Sequence, residues 1–171
     1  MTDELRSKDE LFFENETRKH QQEVARYLTK FAQMLLTRAM EHDASKLESP
    51  EREIFIEFTP KLKGSTYGSE EYKTFLAQMK PALDHHYAKN KHHPEFNDIN
   101  GYTFQTGNNC AINAMDLVDI VEMLCDWMAA VKRHTNGSIW KSIDHNEKRF
   151  GINEQLSQLF RNTAALLEET I

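Results

Sequence analysis

Glycine and proline are scarce, at 6 and 4 in a chain of 171 residues. So few chain-breakers argue against a fold built from many tight turns and favour long helices. The only cysteines, Cys110 and Cys125, stand in no metal-like or redox-like spacing, which argues against a disulfide framework. No apolar run approaches the roughly 20 residues that span a bilayer. Basic runs are missing too. Lys plus Arg is 21 against 27 Asp plus Glu, a net charge of −6. An acidic chain without a basic patch is a poor binder of duplex nucleic acid. The opening MTDELRSKDELFF lacks the basic-then-apolar plan of a secretory signal. A cytoplasmic protein is therefore expected, with neither membrane nor duplex as partner. The length suits a single domain over residues 1–171. A homo-oligomer is compatible with these features.

What is present reads as helix throughout. Val24, Tyr27, Leu28, Phe31 and Leu35 recur at spacings of three and four, one face of a helix over about Leu11 to Met40. Ser49 and Pro50 open a short helix carrying Ile54, Phe55 and Phe58, and 60–68 reads as a loop. Ser69, followed by Glu70 and Glu71, starts another helix with its acids at the positive end of the dipole. Its stripe runs Tyr72, Phe75, Leu76, Met79, Leu83, His86, Tyr87, with a kink expected at Pro81. Pro94, Gly101 and Gly107 mark a long loop, a candidate functional segment. The most apolar helix runs from about Ala111 to His134. Ile139–Phe150, ended by Gly151, and a last helix capped by Asn153 complete the chain. Five to seven helices and no strand make the fold class all-α.

Histidine is the unusual entry. Six of the eight lie at positions 20, 42, 85, 86, 92 and 93, beside Asp43, Lys46, Asn90 and Glu95. Imidazole nitrogens and carboxylate oxygens are what a hydrolytic divalent metal needs, and such ligands come from several segments. On its helix His86 continues the stripe of Met79 and Leu83 and points inward, while His85 is turned about 100° away. On the apolar helix, a wheel centred on Leu124 puts Asp116 and Asp119 at the edge of the apolar face. Glu122 and Asp126 fall beyond it and read, with Arg133, as a solvated charged face. A carboxylate beside an apolar face is costly unless paired or metal-bound, so Asp116 and Asp119 are the candidate acidic ligands. Asp119 is preferred because a ligand lines a cleft rather than lying against Trp127.

In this order, His20 … His42-Asp43 … Asp119 resembles the H … HD … D pattern of the HD-domain superfamily. HDASK is similar to the HD-x-x-K form seen in many of its members. HHPEFNDINGY resembles the HHE … GY stretch of the branch that cleaves cyclic dinucleotides, and MDLVDIVEML resembles that branch's last ligand helix. The resemblance covers about 11–134, is closest to small single-domain HD-like proteins of bacteria and phages, and leaves the helices of 138–171 outside. It implies a single HD-like helical bundle and a metal-dependent phosphohydrolase acting on a nucleotide or related small phosphate ester. One or two divalent ions (Mn, Fe, Co, Ni or Zn) are then expected. His20, His42, Asp43 and Asp119 would hold the first metal, and His86 a second, with His92 and His93 on a second metal or on the substrate phosphate. Lys46 would neutralise a phosphate oxygen, and Asp43 would guide the proton of the attacking water. One departure from the pattern has a structural consequence. His20 and His42 lie 22 residues apart, with no Gly or Pro between them. On a straight helix that is about 33 Å, so a shared ion requires a bend between Thr29 and Leu36. Two other readings fit the same residues: a non-catalytic helical binding protein with a structural or vestigial metal site, and oxygen chemistry at a di-iron centre.

Overall fold

The structure, a computed structural model, describes residues 7–66, 69–102, 111–133 and 137–169. Among them are eight α-helices, two short 3-10 turns and no strand, an all-α fold. The helices are α1 (Lys8–Glu41), α2 (Glu51–Gly64), α3 (Glu70–Gln78), α4 (Lys80–Lys89), α5 (Glu95–Ile99), α6 (Leu117–Val131), α7 (Ile139–Phe150) and α8 (Glu154–Glu169). The 3-10 turns are Ala44–Leu47 and Ala111–Ala114. The chain divides into two compact units, Met1–Met40 and Glu41–Ile171.

The described part of the first unit is α1 as far as Met40, with Ser7 before it. Ser7 Oγ accepts from Glu10 N–H, and Glu10 reaches back to Ser7 N–H at 2.7 Å, a capping box that starts the helix. Along it Arg18–Glu14, Lys19–Glu16 and Arg26–Glu23 pair one turn apart. None of its residues is buried. The bend expected between Thr29 and Leu36 does not occur: α1 is one unbroken helix of 34 residues. Good helix formers without Gly or Pro supply no breaker.

The second unit has its core where α6, α7 and α8 meet. Met123, Leu124, Met128, Ile139, Ile143, Phe160 and Ala164 are buried there with Ile112 and Ile152. The indole of Trp127 stacks over Phe150 and meets Phe160 edge-on. A smaller apolar group, Phe58, Met79 and Ala82, lies among α2, α3 and α4. Three boundaries differ from expectation. Pro81 does not kink a long helix. It sits in the first turn of α4 after a break at Met79, where its missing N–H has no partner to lose. The loop expected over 60–68 starts later, because α2 continues through Pro60 to Gly64. The carbonyl that loses its partner belongs to exposed Ile56, where water can replace the bond. The segment after Pro94 contains α5, so the count exceeds seven. Cys110 and His134 lie outside the described residues. Among the described residues no helix is long and apolar enough to cross a membrane.

Candidate metal centre

Four segments of the second unit converge. His42 and Asp43 follow the end of α1, and the 3-10 turn after them brings Ser45 and Lys46. Asp43 has φ +57°, a left-handed conformation that Asp and Asn tolerate better than other non-glycine residues. Its carboxylate faces the last turn of α4 and the residues that follow. There His86 and His92 are each 1 % exposed. His93 joins them, with its ring centroid 4.1 Å from that of His92.

The two oxygens of Asp43 face different neighbours. Oδ1 lies 3.2 Å from His86 Nε2 and 3.6 Å from His92 Nε2. Ligating atoms of Asp43, His86, His92 and His93 all lie within 4.8 Å of one another. Oδ2 lies 2.5 Å from Lys46 Nζ and 3.5 Å from His42 Nε2, which in turn is 3.6 Å from Asp126 Oδ1. Behind the rings, Glu122 Oε1 meets His42 Nδ1 at 2.9 Å and His92 Nδ1 at 3.1 Å. Glu51 meets the Nδ1 atoms of both His85 and His86.

This donor set fits a metal ion. Asp43 Oδ1 and His92 Nε2 are buried with no hydrogen-bond partner, a costly arrangement for polar atoms. His86 Nε2 and His93 Nε2 approach to 2.9 Å. Two imidazole lone pairs at that distance need a proton or a cation between them. Backing carboxylates such as Glu122 orient metal-binding imidazoles.

The protonation of the metal-free rings follows from their neighbours. Pairing with Asp126 and then Glu122 raises the pKa of His42 to about 10. Burial, then the charges of His92 and His86, lowers that of His93 to about 2. The two groups act on stability from opposite sides of the unperturbed value of 6.5. His42, with a raised folded pKa, contributes fully below 6.5 and loses its contribution as pH rises towards 10. His93, with a depressed one, contributes above 6.5 and loses it as pH falls towards 2. In the metal-free protein, thermal melting followed against pH is therefore expected to show a stability loss beginning below pH 6.5, above the range of about 4 where carboxylates titrate. H93Q is expected to flatten that limb and H42Q the alkaline one. Limbs unchanged in both variants would contradict these environments.

Of the residues singled out by sequence, His42, Asp43, His86, His92 and His93 come together, with Lys46 on Asp43. As expected, His86 is buried, while the side chain of His85 is 34 % exposed. His20 is not in the cluster. It stands exposed on α1 in the first unit and is not among the grouped donor residues. Asp119 is not in it either. Asp116 is the N-cap of α6: its Oδ1 accepts from Val118 N–H and Asp119 N–H, and Asp119 Oδ2 faces Asp116 N–H at 3.4 Å. Both carboxylates line a separate pocket of about 260 Å³ with Lys91, Phe96, Asn97 and Tyr102. The acids that do reach the histidines are Glu122 and Asp126. Their i,i+4 spacing puts them on one face, the one signal that could have found them. Glu51 carried none beyond that of an acid in a first helical turn.

The family described as "Family of unknown function (DUF5662)" matches residues 9–171. No curated protein and no solved structure matches the chain.

Proposed function

The chain belongs to this DUF5662 family, and from its geometry we propose a metal-dependent phosphohydrolase acting on a nucleotide or another small phosphate ester. The observation that carries the reading is the double-sided carboxylate of Asp43. Its Oδ1 faces His86, His92 and His93, and its Oδ2 faces His42, so one residue would bridge two divalent ions. Three imidazoles and a carboxylate suit Zn, Fe, Co, Ni or Mn better than Mg or Ca. The group of His42, Asp43 and Asp126 offers three donors; an ion held by them would have room for water and substrate, as in a catalytic rather than a structural site. The HD-like reading is kept for His42-Asp43 and the later histidines, with Asp126 as the final acid and without His20 or Asp119.

Such ions, when bound, make water nucleophilic near neutral pH, polarise the phosphoryl oxygen and align in-line attack. The chain's own residues do the rest. Buried His86 and His92 close the inner side of the centre to bulk water. Lys46 Nζ, on Asp43 Oδ2, adds a fixed positive charge where charge builds on the phosphate. Glu122 holds the His42 and His92 rings so that both Nε2 atoms face Asp43.

The four-donor group of Asp43, His86, His92 and His93 also suits a closed structural site, which favours a non-catalytic binding protein as the second reading. Stripping the purified chain of metal, reloading it with Mn, Fe, Co, Ni or Zn, and screening mono-, tri- and cyclic nucleotides separates the two. Metal-dependent hydrolysis of one substrate class is expected. Stoichiometric metal without turnover on any of them would favour the structural reading.

A further inference from the structure

Glu51 is 0 % exposed, and among the described residues it pairs with His85 and His86 rather than with a lysine or arginine. A buried carboxylate must collect hydrogen bonds from donors around it. Three donors are in reach. His85 Nδ1 lies 2.7 Å from Oε1, His86 Nδ1 lies 2.9 Å from Oε2, and Ser45 Oγ donates to Oε2 at 3.1 Å. Asn90 Nδ2 also sits 2.9 Å from His86 Nδ1 and could in principle donate to it. Its two protons already have better destinations, Ser45 Oγ and the His86 carbonyl, each at 2.8 Å. Ser45 Oγ then accepts from Asn90 and passes its own proton to Glu51. With Asn90 and Ser45 committed elsewhere, His86 Nδ1 faces the Glu51 Oε2 acceptor at 2.9 Å and carries its proton there.

We propose that Glu51 is a positioning residue that locks His86 in the Nδ1–H tautomer and so turns its bare Nε2 toward Asp43 and His93. The proposal rests on the metal reading above for its purpose, but not for its geometry. In the other tautomer, Nε2–H would point into the donor cluster, and an unprotonated Nδ1 would face a buried carboxylate at 2.9 Å, two lone pairs opposed. Fixing the tautomer in advance leaves no reorganisation to be done when an ion arrives. Partners of this kind change metal affinity ten- to hundredfold when removed. His85 shares the same carboxylate, so its role is to satisfy the second oxygen rather than to meet an ion.

The test uses the full chain and two readouts. In the metal-free wild type, nitrogen-15 spectra of the histidine rings are expected to show His86 protonated at Nδ1. In E51A the signals should shift towards the Nε2–H tautomer, and in E51Q, which keeps a carbonyl acceptor, they should stay near wild type. Cobalt titration is expected to weaken at one position per chain by ten- to hundredfold in E51A and by less in E51Q. A purely structural Glu51 would lower the melting temperature and leave tautomer and affinity unmoved. If E51A does not fold, the wild-type spectrum and E51Q still decide. A wild-type His86 protonated at Nε2, or equal cobalt affinity in folded E51A, overturns the proposal. A wild type that binds no cobalt yet shows the Nδ1–H tautomer overturns the metal reading alone.

Discussion

Replacing Asp43 by asparagine is expected to lower cation affinity at both positions more than about a hundredfold, beyond the effect of outer partners, and to remove turnover with it. Asparagine is the informative substitute. It has nearly the shape of aspartate and tolerates the left-handed backbone at φ +57°, so the fold should survive with only the charge and one carboxylate oxygen lost. Alanine would add backbone strain and confuse the result. Elemental analysis after metal loading gives the readout, with circular dichroism confirming the helices. Wild-type metal content in a folded D43N would remove Asp43 from the centre and with it the bridged arrangement.

Asp126 and Asp119, two helical turns apart on α6, are expected to behave oppositely. D126N should lose one cation per chain, because it takes away a charged donor 3.6 Å from His42 Nε2. D119A should keep full metal content and instead lose about 0.5–2 kcal/mol of stability, the range for a helix cap. Chemical unfolding measures the second effect and metal stoichiometry the first. Loss of metal in D119A with none in D126N would restore the assignment that sequence alone suggested.

That reversal explains which parts of the molecule could be read from sequence. The helices with clear signals emerged with their caps: Ser69 accepts from Tyr72 N–H, Asn153 from Leu156 N–H, and Gly151 ends α7 at φ +62°. The histidines were legible because imidazoles are few and their positions cluster. The acids were not. A helical wheel distinguishes an apolar face from a polar one, and it assumes that the polar face meets water. Helix α6 is covered on both sides: Met123, Leu124 and Met128 pack into the core, while the side chain of Glu122, on another face, is only 8 % exposed against His42 and His92. Nothing local records that a second layer lies over the charged side. The break at Met79 was missed for a similar reason, since the apolar stripe runs through it without losing step. His20 shows the opposite failure, where residue order alone suggested a ligand that is not among the grouped donors.

The residues around the centre are far apart along the chain. His42 and Asp126 are separated by 84 positions (126 − 42), with His86 and His92 between them. An ion joining them would tie together segments far apart in the chain and would be released on unfolding, so its binding would add to the stability of the folded state. The centre can form only after the long-range contacts of the second unit are in place, and local helix formation cannot build it early. Metal-loaded protein should therefore unfold more slowly than the stripped form, while its refolding rate changes little. In the stripped form, the turn at 42–47, the end of α4 and the charged face of α6 would be tied by hydrogen bonds, ion pairs and ring contacts without the ion, and hydrogen exchange should find them opening before the α6–α8 core.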